Sequence, residues 1–158
     1  MNDERTVKLD RMRFTKNTSS SRLALLGIVF DVLYFISIYK SDVKNYYYTI
    51  LIGASIIYNL VFMLSTFLCS EGVKNYKHPY SLALLVLGVI QIARIFILPL
   101  GAHQAEIDGM RVMGDGQFIR LVIYLTASAL CLFASAAVNL KKSRALDAHL
   151  ASLRQVQA

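Results

Sequence analysis

Two full charges lie inside segments that are otherwise apolar: Asp31 within residues 23–39 and Arg94 within residues 80–100. Two further apolar runs cover residues 46–69 and 118–140. An α-helix needs about 20 apolar residues to cross roughly 30 Å of hydrocarbon. Lipid offers no partner to a backbone N–H or C=O, so such segments must fold as helices. The fold class that follows is all-α, a polytopic membrane protein built as a four-transmembrane-helix bundle. A charge at that depth costs roughly 2.5–3.5 kcal/mol on insertion scales, so Asp31 and Arg94 are expected to face the bundle interior and to find partners there.

The organisation predicted is simple. Residues 1–21 form a basic polar tail, residues 22–140 the four-helix transmembrane domain, and residues 141–158 a short amphipathic helix. The tail carries no short apolar stretch with a small-residue cleavage site, so no cleaved secretory signal is expected. Ser20 or Ser21 is expected to cap the first span. Pro79 suits the first turn of the third helix, where its missing N–H is harmless. Pro99 is expected to end or kink that helix ahead of a loop over Gly101–Gln117. After Leu140 the chain turns basic, and Leu146, Leu150, Leu153 and Val156 fall on one helical stripe.

Basic residues give an orientation. Twelve of the 17 lie in the two tails and the middle loop: Arg5, Lys8, Arg11, Arg13, Lys16, Arg22, Lys74, Lys77, Lys141, Lys142, Arg144 and Arg154. The other two loops hold Lys40, Lys44, Arg111 and Arg120. Positive charge is retained in the cytoplasm, so both termini are expected there, in an integral protein of the plasma membrane. Tyr39, Tyr46, Tyr47 and Tyr48 would mark the outer interface, and Tyr76 and Tyr80 the inner one. The net charge of +7 is then topological, with anionic lipid headgroups as its partners and no nucleic acid.

Helical rise places the intramembrane polar residues in depth. Measured from the inner boundary, Asp31 stands at about 12 Å, Asn59 at about 15 Å, Gln91 at about 16 Å and Arg94 at about 21 Å. Gly27, Asp31 and Tyr34 share a face of the first helix, and Gly88, Gln91 and Arg94 share a face of the third. An Asp31–Arg94 ion pair bridged by Gln91 or Asn59 is geometrically open, since an Arg side chain reaches several ångströms along its helix. Asp31, Asn59, Gln91, Arg94 and Tyr34 are therefore the candidate intramembrane network. On the fourth span Ala127, Cys131, Ser135 and Asn139 recur every four residues, a small-residue strip of the kind that lets helices approach closely in lipid. With Leu146, Leu150 and Leu153 it forms the candidate packing or partner interface.

The chemistry of common enzymes is missing from the motifs. His78, His103 and His149 lie outside the apolar cores, and there is no H-E-x-x-H, C-x-x-C, G-x-S-x-G or phosphate-binding glycine loop. Cys69 and Cys131 are not a close pair, so neither disulfide nor thiol redox chemistry is expected. His103, Glu106, Asp108 and Asp115 gather oxygen and nitrogen ligands in the outer loop, but Arg111 among them favours a solvated loop over a metal site. No catalytic residue, metal or cofactor is expected.

Two functions fit. The first is a non-catalytic integral membrane subunit that assembles with, stabilises or regulates a larger transporter or enzyme complex, as a hetero-oligomer with other integral subunits. The second is a small proton- or cation-coupled transporter acting as a homo-oligomer, with Asp31 as coupling carboxylate. Four helices with one acid in the first resemble, in architecture, the small multidrug-resistance exporters. That resemblance implies the second reading; those exporters usually carry Glu there and have shorter tails.

Overall fold

The computed structural model describes residues 16–38, 46–107 and 109–157, apart from the side chains at 46–49, 51, 52, 107, 110 and 153–157. The tail residues 1–15, the loop Lys40–Asn45, Asp108 and the expected tyrosine belt at Tyr39 and the side chains of Tyr46–Tyr48 lie outside that description. The elements are α1 (Thr18–Ile38), α2 (Tyr46–Lys74), α3 (His78–Ile97), α4 (Pro99–Gln104), β1 (Glu106–Ile107), β2 (Met110–Arg111) and α5 (Asp115–Gln157). The two strands form only a two-residue antiparallel bridge, Glu106 opposite Arg111 and Ile107 opposite Met110. Otherwise the protein is all-helical, with four helices long and apolar enough to cross a membrane.

The distribution of polarity is the reverse of a water-soluble domain. Large apolar side chains line the outside, among them Val29, Ile57, Leu60, Leu64, Val89, Phe96 and Ile123, each more than half exposed. Buried positions include Asn17, Ser20, Asp31, Asn59, Thr66, Ser70, Ser81, Gln91, Arg94, Ser128, Ser135 and Asn139. A contiguous apolar exterior of this extent would drive aggregation in water. It is satisfied by hydrocarbon, which gives no preference between lipid and protein for an apolar side chain. The inward faces therefore specify the packing through small and polar residues.

The helices form a ring. α5 packs most extensively on α1 and next on α3; α1 packs on α2, and α2 least closely on α3. α1 and α3 thus face each other across the bundle, as do α2 and α5. The α1–α5 seam is antiparallel and held by exact pairs of hydroxyls and carbonyls. Ser20 Oγ donates to Ser135 O at 2.6 Å, and Ser135 Oγ donates back to Ser20 O at 2.7 Å. Two turns along, Ser128 Oγ donates to Gly27 O at 2.9 Å. At the far end Gln117 Nε2 donates to Ser37 O at 3.1 Å. Gly27 permits this approach, because a Cβ there would meet Leu132 Cδ2 at 3.2 Å. Gly88 does the same on α3, where a Cβ would lie 2.5 Å from Phe133 Cε1.

Several expectations are corrected. α1 begins at Thr18, not residue 23, because Asn17 rather than Ser20 or Ser21 serves the helix start. Asn17 Oδ1 accepts from Ser20 N at 3.4 Å, and the Ser20 hydroxyl is committed to α5. α2 runs past residue 69 to Lys74. It closes with Tyr76 N donating to Val73 O at 3.1 Å and Lys77 N to Gly72 O at 3.3 Å. This end motif usually places Gly in the left-handed region, but here Tyr76 takes it at φ 59°. Pro79 does fall in the first turn of α3. Pro99 does end the third helix: α3 closes at Ile97 and Pro99 opens α4. The outer segment is thus no plain loop: α4, the bridge and the first turn of α5 occupy it. Finally, no break separates the fourth span from the following segment. α5 is one helix of 43 residues, about 64 Å at 1.5 Å per residue.

Gly88→Leu is expected to lower the stability of the detergent-solubilised protein by about 2–3 kcal/mol through overpacking against Phe133. Combining it with Phe133→Ala should recover most of that loss. Thermal unfolding of the three variants checks this.

Candidate functional site

The ring geometry brings one residue or more from each long helix to the bundle axis. Asp31 comes from α1, Ser55, Tyr58 and Asn59 from α2, Gln91 and Arg94 from α3, and Ser128 from α5. The cluster sits between two apolar layers. Towards the basic end lie Ala24, Phe62, Cys69, Val73, Leu84, Leu132 and Ala136. Towards the other end lie Tyr34, Ile38, Leu98, Ala102, Met113, Leu121 and Leu125.

Arg94 is held on every side by its own chain. Its guanidinium carbon lies 4.3 Å from the ring centre of Tyr34 and 4.5 Å from that of Tyr58. Two aromatic faces on one cation are each worth about 2 kcal/mol where water is excluded. Arg94 Nη2 donates to Ser55 Oγ at 2.9 Å, and Nη1 reaches Asp31 Oδ1 at 3.3 Å. The side chain is 7% exposed. Its direction follows from helix geometry: side chains lean towards the N-terminus of their own helix, which carries Arg94 down α3 to the level of Asp31.

Gln91, one turn before Arg94, joins the other two helices. Its amide nitrogen donates to Asp31 Oδ1 at 2.9 Å and to Ser128 Oγ at 3.2 Å. Since Ser128 donates onward to Gly27 O, a continuous chain of bonds runs α3–α5–α1. Both amide protons of Gln91 are used, which fixes the orientation of the amide.

The satisfaction is incomplete. Asp31 Oδ2, Gln91 Oε1, Tyr34 OH, Tyr58 OH and both polar atoms of Asn59 are buried without a hydrogen-bond partner. Thr66 Oγ1 and Ser70 Oγ, further along the inward face of α2, are also unpartnered. α2 therefore carries most of the bundle's unmet polar groups, and it has the loosest contact with its neighbour α3.

A second polar layer lies at the basic end. Asn17 Nδ2 donates to Asn139 Oδ1 at 3.0 Å, and Asn17 N to Lys74 O at 2.9 Å. Asn139 Nδ2 donates to Ser81 Oγ at 2.6 Å. Just beyond, His78, Ser143 and Asp147 meet. Ser143 Oγ lies 3.0 Å from His78 Nε2 and 3.4 Å from Nδ1, and Asp147 Oδ2 lies 3.2 Å from Nε2. This trio ties α5 to the start of α3.

The sequence-derived network thus converges: Asp31, Tyr34, Gln91 and Arg94 touch, while Asn59 lies buried without a bond to them. The small-residue strip divides. Ser135 and Asn139 turn inward and are spent on α1 and α3, so they offer nothing to a partner; Ala127 and Cys131 are half-buried. Leu146 is half-buried and Leu150 exposed; the Leu153 side chain lies outside the description. Cys69 and Cys131 are free thiols. In the outer segment Asp115 pairs with Arg111 at 2.9 Å, His103 stacks on Phe118, and Glu106 is exposed. Among the described residues no group of three His, Cys, Asp or Glu side chains is placed to hold a metal ion. Ser55, Tyr58 and Ser128 were not anticipated. Their signal was spacing: Ser55 and Asn59 lie one turn apart on α2, and Ser128 and Ser135 repeat the seven-residue interval of Ser20 and Gly27.

The fold and this interior define an all-helical membrane protein. No family model, curated protein or solved structure matches the chain.

Arg94→Met should destabilise the protein by about 3 kcal/mol, since it removes both ring contacts and the bond to Ser55. Asn59→Leu should act oppositely, raising stability by about 1–2 kcal/mol, because it removes two unmet polar atoms from a buried site. Chemical unfolding in detergent distinguishes the two signs.

Proposed function

We propose that this protein is a non-catalytic integral membrane subunit that assembles with, stabilises or regulates a larger membrane transporter or enzyme complex. The observation that carries the reading is the unbroken α5. At about 64 Å it is twice the roughly 30 Å of a hydrocarbon core, so part of it must project beyond the bilayer. Its first turns past Leu140 are braced by the bundle: Ser143 and Asp147 meet His78, and Lys142 Nζ donates to Ser19 Oγ at 3.3 Å. A helix fixed at its base presents a rigid lever to another subunit, and Leu150, 45% exposed, sits on it.

The interior supports the same reading. Ser20–Ser135, Ser128–Gly27, Gln91–Asp31 and Asn139–Ser81 join neighbouring helices, an architectural use of buried polarity. Lys74, Lys77, Lys141, Lys142 and Arg144 gather at one end, and the positive-inside rule supports a cytoplasmic location for that end and for both termini. There these residues meet anionic lipid headgroups of the plasma membrane. The partners on this reading are other integral subunits in a hetero-oligomer.

Leu150→Glu is expected to reduce recovery of co-purifying subunits several-fold from gently solubilised source membranes while leaving thermal stability unchanged, because the His78 brace is untouched. Removal of residues 141–158 should reduce recovery at least as much. Native mass spectrometry reads the result; an unaltered heteromeric mass in both variants would overturn the docking role of α5.

A further inference from the structure

We propose that Asp31 and Gln91 together form a proton-binding site on the bundle axis, in which Asp31 is held as the neutral acid and its Oδ2 hydroxyl donates to Gln91 Oε1. The inference is independent of the subunit reading.

It rests on how the bonds fall on the two oxygens of Asp31. Oδ1 accepts twice, from Gln91 Nε2 at 2.9 Å and from Arg94 Nη1 at 3.3 Å. Oδ2 is buried and accepts from nothing. An ionised carboxylate spreads its charge over both oxygens, and a bare buried one is costly. A protonated acid has the opposite need: its carbonyl oxygen accepts and its hydroxyl donates. The pattern observed is that of the acid, with Oδ1 as carbonyl.

The missing half of the pair is present on Gln91. A carboxylic acid and a primary amide associate through two bonds, amide N–H to carbonyl and acid O–H to amide oxygen. The first exists. The amide oxygen required for the second, Gln91 Oε1, is itself buried without a donor. One proton passed from a hydronium ion of the aqueous phase to Oδ2, leaving water behind, satisfies both unmet acceptors at once.

The neighbouring groups permit it. Those facing Asp31 are Arg94 from α3, Tyr34 from α1 and Tyr58 from α2, with the uncharged Ser128 from α5. A charge-assisted N–H to carboxylate bond is about 2.7–2.9 Å long. The Arg94–Asp31 contact, at 3.3 Å, is longer than that. Arg94 does not need the negative charge at contact, because two rings and Ser55 already hold it.

The test is infrared spectroscopy of the whole protein in lipid bilayers, titrated between about pH 5 and 8. Wild type should show the carbonyl stretch of a protonated carboxylic acid throughout that range. Asp31→Asn should abolish the band, and its amide N–H, replacing the acid O–H towards Gln91, should keep the bundle folded. Gln91→Met retains Asp31 and should shift the band to higher frequency as the amide bonds are lost; it gives a reading even where Asp31→Asn does not assemble. A spectrum without an Asp31-dependent acid band at any of these pH values would overturn the site. A band that does not move in Gln91→Met would overturn the role of Gln91.

Discussion

Hydrocarbon cannot solvate a guanidinium, and the interior of this bundle is organised around that fact. Arg94 sits too deep for its charge to be ignored, so the protein supplies what water would have supplied. Two tyrosine faces cover the plane of the cation, a serine and an aspartate take its edge, and three helices must be positioned to bring these groups together. The helices that provide them face each other across the ring as well as around it. Distant parts of the chain are thereby fixed in one register: α1 against α3 through Asp31, α3 against α5 through Gln91 and Ser128.

The rest of the packing follows from the same solvent. Since lipid attracts an apolar side chain as well as a protein core does, close approach and polar bonds have to choose the neighbours. Gly27 and Gly88 provide approach; Ser20, Ser128, Ser135 and Asn139 provide bonds. The result is a layered interior. A polar layer at the basic end, an apolar layer, the Arg94 cluster and a second apolar layer succeed one another along the axis. α2 is the exception. Its inward face carries Asn59, Thr66 and Ser70 without partners, so it is the helix that the chain's own bonds hold least.

Much of this was legible from residue type and spacing. Charges inside apolar runs announced the membrane and the inward faces, and the turn-to-turn spacing of Gln91 and Arg94 put them on one side of α3. The pairing itself was harder. Straight-helix depths separate Asp31 and Arg94 by about 9 Å, and only the lean of helical side chains towards the N-terminus closes the gap. Serines were opaque for a different reason. A hydroxyl in a membrane helix can bond its own backbone, face lipid or bridge helices, and composition does not say which. So Ser135 looked available to a partner strip when it is locked to Ser20, and Ser55 gave no sign of its role. The length of α5 was hidden by the change from apolar to basic sequence at Lys141, which changes the solvent around the helix without interrupting its hydrogen bonds.

The most direct measurement is solid-state NMR of the protein in lipid bilayers, with nitrogen label in the Arg94 guanidinium and carbon label in the rings of Tyr34 and Tyr58. Contacts of 4.3 Å and 4.5 Å between guanidinium and ring centres should give strong dipolar transfer to both rings and none to lipid phosphorus. Transfer to phosphorus without transfer to the rings would mean that Arg94 reaches outward to the headgroups, and the account of a bundle built around it would fail.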